Sequence, residues 1–173
     1  AQPREAQRPI LADYDQELRT PDGHFDTPKT LAALKAMGCN TYFYLIQHGK
    51  SDWDDLPGFA DAAAREHMDV VVHLTPWSES TLYKKNWNFS EPFKADYVRW
   101  AQEISQLSLK QRNIVGVVID DFYTNSTQPD RFTVPYVRQM VDAGKRINPR
   151  LKFYPLVYFG QPWALVVERF GGL

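Results

Sequence analysis

Two adjacent carboxylates, Asp120 and Asp121, follow an uninterrupted apolar run in the segment 113–125 (NIVGVVIDDFYTN). Side chains alternate across a strand, so only one of the two can share the direction of Val118. A carboxylate at the end of a buried strand can serve as a general acid or base, a nucleophile or a metal ligand. The competing interpretation is a strand end at which one acid caps a turn and the other pairs with a surface cation. The pattern favours function, and we predict that Asp120 and Asp121 are catalytic.

Side chains that can bind a ligand also follow the other predicted strands. Asp13 and Asp15 lie two positions apart, so they share one face at the end of the first strand. Aromatic rings near strand ends can stack on flat ligands, including the apolar faces of sugars. The candidate substrate-binding residues have in common a position at or beyond a strand end: Asp13, Asp15, His48, His73, Trp77, Trp87, Tyr123 and Tyr158.

The histidines raise the question of a metal site. His48 and His73, together with Asp13 or Asp15, would supply the nitrogen and oxygen ligands that zinc and related ions prefer. The chain contains no HxH or HExxH spacing, which would place two histidines on one metal. The sequence therefore predicts neither a metal nor another cofactor.

The elements that must position these residues follow a β-then-α order. Five apolar segments rich in aromatic and β-branched residues begin near positions 10, 41, 70, 114 and 151, and each predicts a strand. Thr27 as a cap and Pro28 at the first helical position predict the start of the first helix. The residues 93–111 (FKADYVRWAQEISQLSLKQ) form the strongest amphipathic helix, and the tail 161–173 predicts a final one.

Strands that are apolar throughout and separated by helices indicate a parallel sheet covered by helices. No glycine-rich turn follows the first strand, and polar side chains follow every strand, which favours a barrel over a nucleotide-binding open sheet. A complete barrel needs about 250 residues. We therefore predict a (β/α)8 TIM-type barrel of which residues 1–173, as one α/β domain, supply about the first five βα units. The alternative is an open five-stranded parallel α/β sheet.

Composition restricts the partners. The 20 basic and 21 acidic residues give a net charge of −1 and form no basic stripe, so nucleic-acid binding is not expected. No apolar run approaches the ~20 residues of a membrane span, so no membrane partner is expected. The N-terminal segment AQPREAQRP has no apolar signal core and would suit the start of a mature secreted or periplasmic protein, with a cytoplasmic location as the alternative.

The segment Gly116–Phe122 (GVVIDDF) resembles the strand-four signature of chitinase-like (β/α)-barrel glycoside hydrolases, in which a glycine and alternating apolar residues precede acids. That family continues to a glutamate that protonates the glycosidic oxygen, and the matching position here is Phe122. A register shift of two places Asp120 in the acid's position, with Val118 and Gly116 where the family has aspartates. The resemblance also extends to barrel glycosidases of the α-galactosidase type, whose strand-four aspartate nucleophile matches Asp120.

The resemblance implies a carbohydrate-active enzyme that cleaves an oligo- or polysaccharide with Asp120 and a second carboxylate. The distance between the two carboxylates would then separate retention, at about 5–5.5 Å, from inversion, at about 6.5–9.5 Å. Two alternatives remain open at this point. One is a barrel that binds carbohydrate without cleaving it, and the other is a metal-dependent hydrolase or lyase that uses Asp13, Asp15, His48 and His73.

Overall fold

The computed structural model of the chain describes residues 9–14, 17–47, 49, 51–79, 89–127, 131–158, 160 and 163–171. Within them, each strand is followed by at least one helix before the next strand begins. The strands are β1 Ala12–Asp13, β2 Thr41–Ile46, β3 Asp69–Leu74, β4 Ile114–Ile119 and β5 Lys152–Pro155. The helices are α1 Thr27–Ala36, α2 Asp52–Arg65, α3 Tyr97–Lys110, α4 Phe122–Ser126, α5 Val134–Ile147 and α6 Trp163–Phe170, with a 3₁₀ turn at Trp77–Glu79.

The five strands form one parallel sheet in the order β1-β2-β3-β4-β5. A doubly wound sheet reverses its strand order at a switch point, whereas a barrel adds each strand next to the one before it. The sequential order therefore fits the first five units of a (β/α) barrel. In the described residues β1 and β5 are the two edges of this sheet.

Several element boundaries differ from the sequence prediction. Strand β1 has only two residues, and β5 consists of the four residues Lys152–Pro155. The first helix is capped by Asp26, whose carboxylate accepts a hydrogen bond from the Lys29 amide at 3.1 Å, and the predicted cap Thr27 is its first helical residue. The short helix α4 was not predicted, because five residues give too little periodicity to detect.

Alternation along the strands divides the sheet into two faces. Tyr42, Tyr44 and Ile46 of β2 belong to the core between the sheet and the helices, where Tyr44 stacks on Phe25 with ring centroids 4.5 Å apart. The other face carries one row of side chains that the register aligns across four strands: Leu45, His73, Val118 and Tyr154. The second face therefore holds His73 beneath the carboxyl ends of the strands.

Helix α3 covers the centre of the sheet and confirms the predicted amphipathic segment. Its buried face includes Trp100, which is fully inaccessible and whose indole N–H donates to the Lys94 carbonyl at 2.9 Å. Burying side chains of this size removes apolar surface from water and contributes roughly 1.5–3 kcal/mol each. Helix α5 packs beside α3 and contributes Val137 and Met140 to the same core.

The loop after β2 is anchored by a buried carboxylate. Asp52, at the start of α2, accepts hydrogen bonds from the Arg19 guanidinium at 2.6 Å and from the amides of Gly49 and Gln47 at 2.9 and 3.2 Å. The carboxylate is wholly inaccessible, so these donors replace the water that it loses. The strand end is thereby tied to the following helix. Among the described residues no helix has both the length and the apolar character required to cross a bilayer.

A glycine in β4 permits close approach of a neighbouring strand. A Cβ atom at Gly116 would overlap the Tyr154 ring and lie 3.1 Å from the Lys152 carbonyl oxygen. We therefore expect Gly116→Ala to lower the free energy of unfolding by about 1–3 kcal/mol, as overpacking does elsewhere. Urea unfolding monitored by circular dichroism measures this change.

The matched control is Gly58→Ala in α2, where an added Cβ meets nothing within 4 Å. Alanine is the better helix former, so this variant should be unchanged or up to about 1 kcal/mol more stable. Equal effects of the two substitutions would contradict the close packing of β4 against β5.

Candidate functional site

The Asp120 carboxylate, just beyond β4, is the acceptor on which the site is built. Its Oδ1 accepts from the Tyr158 hydroxyl at 2.9 Å and from the Asp121 amide at 2.7 Å. Its Oδ2 accepts from the Tyr14 hydroxyl at 3.0 Å and lies 3.5 Å from His73 Nε2. Asp120 therefore joins groups that follow β1 and β5 to a side chain of β3.

These four contacts correspond to the acceptor capacity of a carboxylate, about two lone pairs on each oxygen. Burial alone raises the pKa of Asp120. The hydrogen bond and charge of His73, the Tyr158 hydroxyl and the Asp121 amide outweigh it and lower the pKa to about 2. Asp120 is therefore ionised at neutral pH, which does not suit the predicted role of general acid, and both of its oxygens face protein donors. It suits the role of orienting its partners.

His73 is the partner with proton-transfer chemistry. Its side chain is only 4% exposed, and its ring stacks on Tyr14 with centroids 4.8 Å apart and planes 25° apart. Because Nε2 faces a carboxylate, we assign the imidazole hydrogen to Nε2, which leaves the lone pair on Nδ1. Within the described part of the chain, the buried Nδ1 has no hydrogen-bond partner. This atom can accept a proton.

The two tyrosines act as donors. Burial, together with the charge and hydrogen bond of Asp120, raises the pKa of Tyr14 and of Tyr158 far above neutral pH. Both phenols therefore keep their protons. Their rings are about half exposed, whereas Asp120 and His73 are almost fully buried. Tyr14 and Tyr158 thus separate the buried pair from solvent.

Asp121 points away from Asp120 because the backbone turns sharply between β4 and α4. Its φ of 44° is in the left-handed region, which costs a non-glycine residue about 1–3 kcal/mol. Its carboxylate lies 3.5 Å from the Ser78 hydroxyl, and its carbonyl accepts from the buried Asn125 amide at 3.0 Å. The predicted divergence of the two acids is observed. Asp121 is engaged in holding the 3₁₀ turn to α4, and it contacts Asp120 through its amide.

Some of the predicted site residues meet at one place, some lie elsewhere, and some are outside the described residues. The side chains of His73, Asp120 and Tyr158 meet at one place, and Asp121 joins them through its backbone amide. Asp13 does not join them: its strand position pairs with core residue Tyr42, and after burial its charge is the second cause that raises the pKa of Cys39. It faces the helices because alternation turns it away from Tyr14. Asp15, His48 and Trp87 lie outside the described residues.

Two predicted ligand-binding aromatics, Trp77 and Tyr123, pack against the hydrophobic core. Trp77 is half-buried and lies 6.3 Å from the Tyr97 ring and 5.9 Å from the Phe89 ring, between centroids. Tyr123, in α4, lines a cavity with Leu165 of α6. Neither has a described contact with Asp120. Tyr14 was assigned no role from the sequence, although it lies between the two acids of ADYD and alternation places it opposite Asp13.

The described residues do not fit a metal centre. In these ranges no three His, Cys, Asp or Glu side chains are grouped as metal ligands. His73 Nε2 is directed at Asp120, and Asp13 is on the opposite face of the sheet. Of the four residues in the predicted metal set, only Asp13 and His73 are described, and they do not come together. The other two, Asp15 and His48, are outside the described residues.

Comparison with known proteins identifies the fold. No protein-family model matches the chain, and no curated protein sequence matches it. A solved structure that does match is hydroxymethylglutaryl-CoA lyase from Pseudomonas aeruginosa, with a TM-score of 0.52 and 16% sequence identity. The match covers 93% of this chain and 50% of the lyase, so the chain spans about half the length of that structure. The prediction of a partial (β/α) barrel is confirmed.

The prediction of a glycoside hydrolase is wrong. The matching barrel is a lyase named for a CoA-linked substrate, so neither carbohydrate binding nor an oligo- or polysaccharide substrate is supported. The physical reason lies in the strand-four motif. Phe122, at the position of the family's catalytic acid, is fully buried and stacks on Phe132 with centroids 5.0 Å apart. The motif therefore ends in the core of this protein and not in its site.

Ionised Asp120 should make stability depend on acid pH. Because the folded pKa of about 2 lies below the ordinary 3.8, the carboxylate contributes stability that is present above about pH 4 and is lost as the pH falls through about 2. After allowance for solvent screening we expect Asp120→Asn to lose about 1–2 kcal/mol at pH 7. Urea unfolding at several pH values between 7 and 2 measures this loss.

The difference between wild type and Asp120→Asn should shrink as the pH approaches 2. Tyr158→Phe removes one donor to Asp120, so it should move the acid-sensitive range of the protein upward while leaving the carboxylate in place. A constant difference across the whole pH range would show that Asp120 is not held as an anion.

Proposed function

We propose that this chain carries the proton-transfer site of a hydrolase or lyase built on a (β/α) barrel. In this proposal His73 accepts and returns the proton, and Asp120 orients it. The observation that carries the proposal is the convergence of Tyr14, His73 and Tyr158 on one buried, ionised carboxylate. Three separate parts of the chain supply these groups, which a packing role for Asp120 alone would not require.

The location of the site supports this function. Barrel enzymes bind and transform their substrates at the carboxyl ends of the strands, where Asp120 lies. The similar solved structure is a lyase, which favours lyase chemistry by analogy of fold. Both classes need a base that removes a proton, from water in a hydrolase or from the substrate in a lyase.

Each residue has a distinct part in the mechanism. Asp120 holds His73 by Nε2, so Nδ1 is the basic atom. When Nδ1 takes a proton, the ring becomes cationic beside the ionised carboxylate, which stabilises it. The same ring then returns the proton to the leaving group. Tyr158 fixes the second oxygen of Asp120 and keeps the carboxylate in place.

The proton transfer in this mechanism needs only groups that are described. Since these residues do not provide a set of metal ligands, no step is assigned to a metal. A chelator arm in the assay tests the metal-dependent alternative directly.

We expect His73→Gln and Asp120→Asn each to lower kcat by about 10²–10⁴, the usual contribution of a positioned acid–base group. The measurement is steady-state turnover of hydroxymethylglutaryl-CoA, other hydroxyacyl thioesters and simple esters, with and without EDTA. The variants are compared with wild type on those substrates that the wild-type protein turns over.

Asp13→Asn is the matched control. It removes the same carboxylate from the other face of the sheet, where it has no contact with His73, so kcat should stay within about twofold of wild type. Full activity in His73→Gln, or turnover of none of these substrates by wild type, would rule out the proposed site.

A further inference from the structure

Tyr14 fills the place beside the buried pair His73 and Asp120. We propose that this place is a subsite for a planar substrate group that carries a hydrogen-bond donor, and that Tyr14 must leave for the substrate to enter. The inference rests on the proposed function, because it names the chemistry that the same site accepts.

Three contacts of Tyr14 outline the subsite. One wall is the face of the His73 ring, whose plane is inclined by 25° to that of Tyr14 with 4.8 Å between the centroids. A second wall is Phe43, whose ring meets Tyr14 edge-on at 6.4 Å and 80°. At the end of the slot, Asp120 Oδ2 accepts the Tyr14 hydroxyl at 3.0 Å. The slot is therefore flat, aromatic on two sides and closed by a hydrogen-bond acceptor.

Tyr14 is held only weakly by its own strand. It follows β1, which has two residues and pairs only with β2 among the described strands. The Tyr14 side chain is half exposed, whereas His73 and Asp120 are 3% and 5% exposed. A substrate that uses His73 must reach a pair that is inaccessible while Tyr14 covers it. Tyr14 belongs to neither β3 nor β4, so its displacement would uncover one side of the pair and leave those strands in place.

The contacts that Tyr14 leaves behind define the incoming group. Asp120 Oδ2 is the oxygen of an anion and only accepts hydrogen bonds, so the group must offer an O–H or N–H. The face of His73 favours a flat, conjugated group, because aromatic rings stack in an offset arrangement at this centroid distance. A phosphate or carboxylate would bring a second anion against Asp120 and is disfavoured. Phenols, enols, amides and heteroaromatic N–H groups meet these requirements.

The test empties the slot by mutation and then supplies a small molecule with the structure of the tyrosine side chain. Tyr14→Ala should expose His73, and p-cresol should bind in place of the lost phenol. The control ligand is 4-methylanisole, which has nearly the same shape but no donor. The readout is the rate at which diethyl pyrocarbonate modifies His73, measured on its peptide by mass spectrometry. Exposed His24 serves as an internal standard for reagent activity.

We expect His73 to react about tenfold faster in Tyr14→Ala than in wild type, the factor for a cover that is closed about nine-tenths of the time. p-Cresol should slow the reaction again with a dissociation constant on the order of 1 mM, typical of so small a ligand, and 4-methylanisole should not. Equal protection by both ligands, or an unchanged rate in Tyr14→Ala with native circular dichroism, would overturn the proposal.

Tyr14→Phe keeps the ring and loses only the bond to Asp120, so it tests the cover even if Tyr14→Ala fails to fold. His73 in Tyr14→Phe should react faster than in wild type, and an unchanged rate would contradict a cover held by that bond.

None of these measurements requires turnover. The proposed function therefore fails alone if p-cresol protects His73 while His73→Gln remains fully active, and the subsite fails alone if His73 is essential but unprotected.

Discussion

The arrangement of the described sheet places the hydrogen-bond donors that replace water around one carboxylate, that of Asp120. Asp120 has left bulk water, and an anion in that position is stable only when protein donors replace the lost hydration. Four groups do so, and two of them come from the ends of the edge strands β1 and β5. Placing those donors around Asp120 requires that the sheet bring its two edges towards the same point.

That requirement can be expressed as curvature. Neighbouring strands are about 4.8 Å apart, so β1 and β4 would be roughly 14 Å apart across a flat sheet. Tyr14 nevertheless reaches Asp120 with its hydroxyl while its ring stacks on His73, the residue of the strand next to β4. Strand twist and tilt of the kind that close barrels bring these ends together. The contacts at Asp120 therefore require the same curvature of the sheet that makes it part of a barrel.

Sequence patterns predicted those features that are encoded locally. Apolar strands such as 114–119 and the amphipathic face of α3 follow from periodicity, and His73, Asp120 and Tyr158 were found because each lies at or near a strand end. Spacing predicted that Asp13 and Asp15 share a face but not which face, so it did not place Asp13 on the side of the sheet opposite His73. Tyr14 was missed because its role depends on curvature across three strands. The glycosidase resemblance failed since seven residues of motif do not determine that Phe122 enters the core.

The strand order also has a consequence for how the molecule folds. Each strand pairs with the one before it, so most of the sheet is assembled from segments that are close in sequence, and such contacts form quickly. The bonds from Tyr14 and Tyr158 to Asp120 span 106 and 38 residues, and they have no partner until the scaffold between them exists. The candidate site is therefore expected to acquire its native order late in folding and to lose it early in partial unfolding. Local opening there would leave the helices and central strands intact.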